Sequence, residues 1–373
     1  MVRASAAGKC ILFGEHAVVY GQPAVAVAIE QRCHVIISDS PDEDWHLEGR
    51  IFHPKKHPHI EGLRQRLWKK GHPLDIMIDS EVPSGSGLGS SAALTVATAA
   101  AMRAKRGRRV SADGSWHEGF SSSLFQTNAY SIPSTDDAGH ISPGGELVFG
   151  QDAIDGDELS LLGHAIEAES QGGRASPTDT STSSWGGAIL VSDKRERGYD
   201  WQCSRRLKTP EGDRRWEVHK VKIPAAFDDV WLVIGDSKIH SKTSAIVAAV
   251  AAKLKENPER MLEIETIGEL ARRGANALRA GEVEELGRCM SENHLLLRGL
   301  GVSCPELENL IHAAAPTSLG VKLTGAGAGG CMVALTREPT LTTGAIEMAG
   351  GRAFISRLGC NGATIEEKEL TEG

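Results

Sequence analysis

The sequence predicts a two-domain α+β fold organised around a glycine-rich loop that joins a strand to a helix. A chain of 373 residues is too long for one minimal domain and suits two packed units, predicted at 1–192 and 219–373. The first unit contains the strand, the glycine loop and an alanine-rich helix, whereas the second alternates amphipathic helices with short apolar strands. Residues 193–218 are charged and weakly periodic, which predicts a linker or a hairpin excursion between the units.

In the N-terminal unit, strands are predicted where short apolar or β-branched segments lie between breakers, at 9–13, 24–29, 34–38, 75–78 and 188–191. Helices are predicted directly after the glycine loop, at 92–103, and again at 159–170. Residues 108–157 are rich in Ser, Gly, Asp and Pro, so we expect an insertion that is largely loop. Residues 171–182 are predicted to form a polar turn.

In the C-terminal unit, amphipathic periodicity predicts helices at 244–255, 259–280, 282–299, 306–314 and near 342–350. Pro305 suits the first position of the fourth helix, because its missing N–H would have no helical partner there. Apolar segments predict strands at 230–234, 320–323 and 331–335. Two further edge strands are expected to complete an α+β sandwich.

Composition excludes several classes of partner. The formal net charge of −8 argues against a nucleic acid or an anionic membrane as the main partner. A basic cluster is predicted to be a solvated helix end and comprises Arg103, Lys105, Arg106, Arg108 and Arg109.

Seven scattered cysteines without a C-x-x-C pair are typical of a reduced compartment. Glu15 and His16 interrupt the N-terminal apolar stretch, which a signal peptide would not tolerate. We therefore expect a soluble, cytoplasmic protein.

The glycine loop is the strongest local signal. Ser84-Gly-Ser-Gly-Leu-Gly-Ser-Ser91 lies between a strand and a long helix. Glycines allow the backbone to approach phosphate oxygens, and a helix N-terminus offers unpaired N–H groups and a positive dipole end. The loop alone could equally be a flexible approach to a helix cap. The order strand, glycine loop, alanine helix favours a phosphate site.

Two common nucleotide fingerprints do not apply. Gly8-Lys9 is followed by Cys10, so the chain has no Walker A motif. Gly325, Gly327 and Gly330 match G-x-G-x-x-G, but a strand is predicted where a dinucleotide fold requires a helix. A hydride-transfer enzyme is therefore disfavoured.

Four segments together resemble the motifs of the GHMP kinases, in the form that mevalonate kinases carry. They stand in the family's order: residues 9–24 with Gly-Glu-His-Ala-Val-Val-Tyr-Gly, the loop at 83–93, the segment 171–187, and Lys-Leu-Thr-Gly-Ala-Gly-Ala-Gly-Gly-Cys at 322–331. The run after Glu15-His16 differs from the Gly-Glu-His-Thr-Asp-Tyr of galactokinases. The insertion at 108–157 has no counterpart in compact archaeal-type members.

The resemblance implies an N-terminal α/β domain that binds ATP, a ferredoxin-like α+β C-terminal domain and use of Mg²⁺. It implies phosphorylation of the 5-hydroxyl of mevalonate, an alcohol acceptor, in isoprenoid biosynthesis, and a homodimer is conceivable for such a fold. The ATP-binding residues that it implies are Pro83, Ser84, Gly85, Ser86, Gly87, Leu88, Gly89, Ser90 and Ser91. Alternatives are another kinase of the same superfamily and pathway, or a non-catalytic ligand sensor. A sensor would be expected to lack Lys9 or Asp179, and both are present.

The resemblance also assigns roles to single residues. Asp179 would accept the proton of the acceptor hydroxyl, and Lys9 would acidify that hydroxyl and meet the γ-phosphate. Taken alone, Asp179 suits a turn and Lys9 a solvated strand end.

Ser91 and Glu167 are the expected metal ligands, since Mg²⁺ prefers a few oxygen ligands. Glu169 lies nearby, and a helix would point only one of the two glutamates inward. Glu15 and His16 are implied to bind the acceptor and to orient Lys9. The loop at 324–330 would pack across the phosphate loop and line the substrate cleft.

Overall fold

Two sheets organise the chain, and their strands form where apolar and β-branched residues concentrate. The computed structural model describes residues 1–68, 71–110, 146–173, 175–209, 212–240 and 243–366. The strands, in chain order, are β1 Val2–Phe13, β2 Ala24–Asp39, β3 His46–Leu47, β4 Arg50–Ile51, β5 Leu74–Ser80, β6 Arg108–Val110, β7 Glu146–Val148, β8 Ala188–Ser192, β9 Asp200–Thr209, β10 Gly212–Val221, β11 Trp231–Asp236, β12 Gly320–Thr324, β13 Cys331–Thr336, β14 Arg352–Ser356 and β15 Thr364–Glu366.

Helices cover both sheets. In chain order they are α1 Pro58–Leu67, α2 Ser90–Arg106, α3 Gly156–Ser170, α4 Thr178–Trp185, α5 Thr243–Glu256, α6 Met261–Ala280, α7 Val283–Gly299, α8 Pro305–Ala314 and α9 Pro339–Met348. In the described part of the chain, no helix has both the length and the apolar character that crossing a bilayer would require.

The large sheet has nine strands among the described residues, in the order β4-β3-β5-β2-β8-β10-β9, with β1 paired to both β2 and β15. Helices α1, α2 and α3 pack their apolar residues on its first strands. The small sheet has the order β12-β13-β11-β14 and all its pairs are antiparallel. Its chain order, strand, helices, two strands, helix, strand, is the ferredoxin-like arrangement. The predicted fold class is confirmed.

Several predicted elements need correction. The segments 24–29 and 34–38 form one strand, because the polar residues between them continue the backbone pairing with β1. The predicted turn at 171–182 is wrong at its end, where α4 begins at Thr178. Its hydroxyls bond within the helix, as when Thr182 Oγ1 donates to the Thr178 carbonyl at 2.8 Å. Such a helix has no apolar periodicity to predict it. Strand β15 returns to the large sheet instead of completing the C-terminal sandwich.

The two uncertain segments have different outcomes. Strands β9 and β10 form a hairpin that joins the large sheet through β8. Of the two alternatives for residues 193–218, the structure therefore agrees with the hairpin and not with the linker. The boundaries 1–192 and 219–373 remain predictions. At the expected insertion, β6 pairs with β7 and brings its two ends together. The rest of that prediction, at 111–145, lies outside the described residues.

The basic cluster is not a solvated helix end. The side chain of Arg103 is 1% exposed and forms an ion pair with Glu158, which is fully buried. Arg108 forms a second buried ion pair with the same carboxylate. These contacts attach the end of α2 to the start of α3, the helix that carries Glu167.

Candidate active site

The phosphate loop has the backbone that its glycines predict. Gly85, Gly87 and Gly89 have φ angles of 67°, 81° and 75°, in the left-handed region that favours glycine. Gly89 is the N-cap of α2, and within the part of the chain that the structure describes no side-chain cap bonds to the first N–H groups of this helix. Those N–H groups and the helix dipole are therefore free to bind an anion.

The C-terminal glycine loop packs directly on the phosphate loop, as predicted. The N–H of Cys331 donates to the Ser86 carbonyl at 3.0 Å. A Cβ on Gly330 would lie 2.6 Å from the Ser86 carbonyl oxygen, and one on Gly87 would lie 2.8 Å from that of Thr324. This loop connects β12 to β13 without a helix, so its G-x-G-x-x-G match lacks the dinucleotide-binding context, as expected.

Lys9 and Asp179 meet beside the phosphate loop. Lys9 lies on β1 and is 2% exposed, and its Nζ donates to the Gly87 carbonyl at 2.7 Å. The same Nζ lies 3.1 Å from Asp179 Oδ2 in the first turn of α4. A Cβ on Gly89 would approach the Lys9 side chain to 2.9 Å, so this glycine also makes room for the lysine.

Ser91 and Glu167 also meet, across α2 and α3. Ser91 Oγ donates to Glu167 Oε1 at 3.1 Å. Burial, followed by the neighbouring Asp179 charge, raises the pKa of Glu167 to about 8, although the Ser91 hydrogen bond and Lys9 oppose the shift. Glu169 instead forms an ion pair with Arg66 and is turned away from this group. The geometry therefore selects Glu167 over Glu169.

Glu15 and His16 line the same cavity but do not orient Lys9. The hydrogen-bond and ion-pair partners that the described residues give Lys9 Nζ are Gly87 and Asp179. Glu15 instead forms a buried ion pair with Lys322. His16 has an unusual left-handed φ of 62°, and its Nε2 lies 2.9 Å from the Ala326 carbonyl oxygen. Burial lowers the pKa of His16, which favours a neutral imidazole.

These groups surround a cavity of about 360 Å³, a size that suits a small ligand. Of the expected loop residues, Gly85, Ser86, Gly87, Gly89, Ser90 and Ser91 line it, together with Lys9, Glu15, His16, Glu167 and Asp179. Pro83, Ser84 and Leu88 are not part of the cavity wall. Leu88 is buried and its carbonyl accepts a hydrogen bond from the Lys9 N–H at 2.9 Å.

Sequence reasoning missed part of the wall. The additional lining residues are Ile11, Val18, Val19, Gln171, Ala175, Ser176, Thr243 and Val247, whereas Gly325 and Ala326 belong to the loop at 324–330 that the sequence predicts to line the cleft. Most of them lie within the four motif segments, which gave a signal that could have identified them. Thr243 and Val247 open α5 outside every motif, and the sequence offered no signal for them.

This arrangement suits the transfer of an anionic group. One end of the cavity offers unpaired backbone donors, and its middle places a lysine against an aspartate. A buried carboxylate and a hydroxyl lie beside them as oxygen ligands. Apolar side chains of Ile11, Val18 and Val19 complete the wall.

Comparison with known proteins places these features in one family. Residues 59–123 match the GHMP kinases N terminal domain, and residues 275–343 match GHMP kinases C terminal. The chain is 31% identical over 339 residues to a mevalonate kinase of Methanothermobacter thermautotrophicus, covering 89% of each chain. It is 30% identical over 401 residues to one of Thermococcus onnurineus, covering 98% of each. The Methanococcus jannaschii mevalonate kinase structure shares the fold, with a TM-score of 0.65 at 24% identity over 95% of this chain and 98% of that one.

Proposed function

Because this chain belongs to the mevalonate kinase family of the GHMP kinases, we propose that it transfers the γ-phosphoryl group of ATP to the 5-hydroxyl of mevalonate. The observation that carries the proposal is the contact between Lys9 Nζ and Asp179 Oδ2, 3.1 Å apart. It lies beside the phosphate loop that leads into α2, whose N-terminus has no side-chain cap among the described residues. The product would be 5-phosphomevalonate, an intermediate of isoprenoid biosynthesis.

The phosphate loop would hold the triphosphate of ATP. Its backbone N–H groups and the start of α2 favour negative charge. The loop at 324–330 packs against the phosphate loop and fixes its conformation. Lys9, held by the Gly87 carbonyl, would contact the γ-phosphate and compensate charge that develops during transfer.

Asp179 would accept the proton of the acceptor hydroxyl. Its side chain is 30% exposed, so one oxygen can contact Lys9 while the carboxylate still reaches a ligand in the cavity. The acceptor would lie on the side of His16 and the apolar wall. His16 Nδ1 is buried and has no hydrogen-bond partner among the described residues; with Nε2 donating to the Ala326 carbonyl, Nδ1 of the neutral ring is an acceptor that suits a ligand hydroxyl.

Ser91 and Glu167 would hold Mg²⁺. The described residues contain no group of three or more His, Cys, Asp or Glu side chains that could hold a metal ion. A hydroxyl and one carboxylate nevertheless suit Mg²⁺, which usually takes few protein ligands and completes its shell with water and substrate phosphates. When bound, the ion would neutralise charge on the β- and γ-phosphates.

A coupled ADP-release assay tests the proposal directly. Mevalonate, phosphomevalonate, homoserine and galactose would each be supplied with ATP and Mg²⁺. We expect turnover with mevalonate only. Turnover with phosphomevalonate instead would favour another kinase of the pathway, and ligand binding without ADP release would favour a sensor. Cytoplasmic location and a homodimer remain predictions of the sequence.

A further inference from the structure

Lys322 is a buried cation that the proposed transfer does not use. It lies on β12 in the C-terminal sheet and its side chain is 0% exposed. Its Nζ donates to the carboxylate of Glu15, to the Ile11 carbonyl at 3.3 Å and to the Leu323 carbonyl. Three acceptors match the three N–H groups of an ammonium, so Lys322 cannot also bind a ligand. Any effect on the reaction must pass through these partners.

Glu15 is held by donors from two C-terminal elements. Lys322 on β12 contacts Oε1, and Asn293 Nδ2 on α7 donates to Oε2 at 3.3 Å. Asn293 Oδ1 is buried and has no partner among the described residues. The amide therefore leaves its own oxygen unsatisfied while its nitrogen donates to Glu15, so the contact serves the position of Glu15.

Glu15 also belongs to the turn that presents His16 to the cavity. His16 is a non-glycine residue with φ 62°, and such a backbone persists only where its surroundings fix it. Gly14, on the other side of Glu15, has φ 94°, and a Cβ there would lie 2.4 Å from the Pro23 carbonyl oxygen. Anchoring Glu15 from the C-terminal sheet therefore fixes the position of the acceptor-side histidine.

The charge balance of the cavity gives the ion pair a second effect. The cavity is lined by three carboxylates, those of Glu15, Glu167 and Asp179, and among its lining residues Lys9 is the lysine that faces them. Lys322 neutralises Glu15 from outside the wall. Without this cation, a buried carboxylate would repel an acceptor that is itself a carboxylate.

We propose that Lys322 is a positioning residue for the acceptor site, which neutralises and anchors Glu15 so that an anionic acceptor can bind beside His16. This inference rests on the proposed function, because it requires an acceptor that carries a carboxylate. It connects the C-terminal sheet to acceptor binding and leaves the ATP side unchanged.

Steady-state kinetics of Lys322→Met would test the inference. We expect the KM for mevalonate to rise by about tenfold or more, because an uncompensated buried charge is left in the wall, while the KM for ATP changes by less than about threefold. The double variant Lys322→Met/Glu15→Gln removes the orphaned charge. Its KM for mevalonate should return to within about threefold of the Glu15→Gln single variant. Lys253→Met, which removes a lysine that donates to the Leu300 carbonyl at 3.0 Å, is the matched control.

Two results would overturn the inference: equal losses for ATP and mevalonate, or a double variant no better than Lys322→Met. If Lys322→Met does not fold, comparison of the double variant with Glu15→Gln still tests the inference, because it requires the two KM values for mevalonate to agree. Wild-type turnover of mevalonate, measured in parallel, tests the proposed function separately from the role of Lys322. Its absence would refute that function, whereas its presence without the variant pattern refutes only the role of Lys322.

Discussion

Replacing Asp179 with asparagine should abolish most turnover without loss of the fold. Asparagine keeps the size and hydrogen bonding of the side chain in the first turn of α4 but cannot accept a proton at neutral pH. The substitution also removes the negative charge that faces Lys9, which is 2% exposed, although an asparagine oxygen can still accept from its Nζ. ATP binding should change little, because the phosphate loop and the N-terminus of α2 are untouched.

The expected loss in kcat is roughly 10²–10⁴-fold, the usual scale for removing a general base. Phosphoryl transfer has a loose transition state in which positioning can outweigh proton removal, so the low end of this range is also consistent. Lys9→Met should lower kcat as well. Because Nζ and Oδ2 are 3.1 Å apart, the two side chains act as one unit, and the double variant should be far less than multiplicatively worse.

Single-turnover ADP release at saturating ATP and mevalonate would measure the chemical step directly. Asp193→Asn is the matched control, because that carboxylate pairs with Arg272 on the surface, far from the proposed chemistry. Near-normal single-turnover rates in folded Asp179→Asn would refute the assignment and leave Asp179 as a helix-start residue. Multiplicative losses in the double variant would show that the two residues act independently.

Three further predictions concern the metal ligands and stability. Ser91→Ala and Glu167→Gln should both raise the Mg²⁺ concentration needed for half-maximal turnover at fixed ATP, and Glu169→Gln should not. Equal effects of Glu167→Gln and Glu169→Gln would contradict the choice of Glu167 as the metal ligand. Glu158→Gln should lower the free energy of unfolding in urea by about 3–5 kcal/mol, because two buried arginines lose their carboxylate, and a loss below about 1 kcal/mol would contradict this. Burial lowers the pKa of His164 from 6.5 to about 4, so its unfolded form binds a proton that the folded form does not. The wild type should therefore lose about 2 kcal/mol between pH 7 and pH 5 relative to His164→Gln, and parallel pH profiles would refute the assignment.

Elements with a clear apolar period were predictable from the sequence, and polar elements were not. The helices of the C-terminal unit carry apolar stripes that a packed sheet requires, and their predicted bounds lie close to those observed. Helix α4 is built from Ser and Thr whose hydroxyls bond to its own backbone, so local composition suggested a turn. Arg103 and Arg108 appeared solvated for a similar reason. Their partner Glu158 lies about fifty residues away, and composition cannot reveal a buried carboxylate at that distance.

Within the site, motif order predicted the residues and some of their partners, but not all. Lys9 with Asp179 and Ser91 with Glu167 could be paired from the resemblance, and the structure brings each pair together. The choice between Glu167 and Glu169 depended on which side of α3 faces α2, a tertiary fact. The pairing of Glu15 with Lys322 was missed, because each residue had been assigned to a separate motif.

The phosphate loop is also a product of tertiary contact, which explains why a segment more than two hundred residues away belongs to the site. Gly87 and Gly325 exclude side chains from each other, since a Cβ on Gly325 would lie 2.7 Å from the Gly87 Cα. The Ser86 carbonyl is bound by the N–H of Cys331, at the start of β13. The same C-terminal strand pair carries Lys322, which anchors Glu15 on the acceptor side. One hairpin of the C-terminal sheet therefore supports both the phosphate loop and the turn that carries Glu15 and His16, and under the proposed function the relative placement of the two substrates would depend on it.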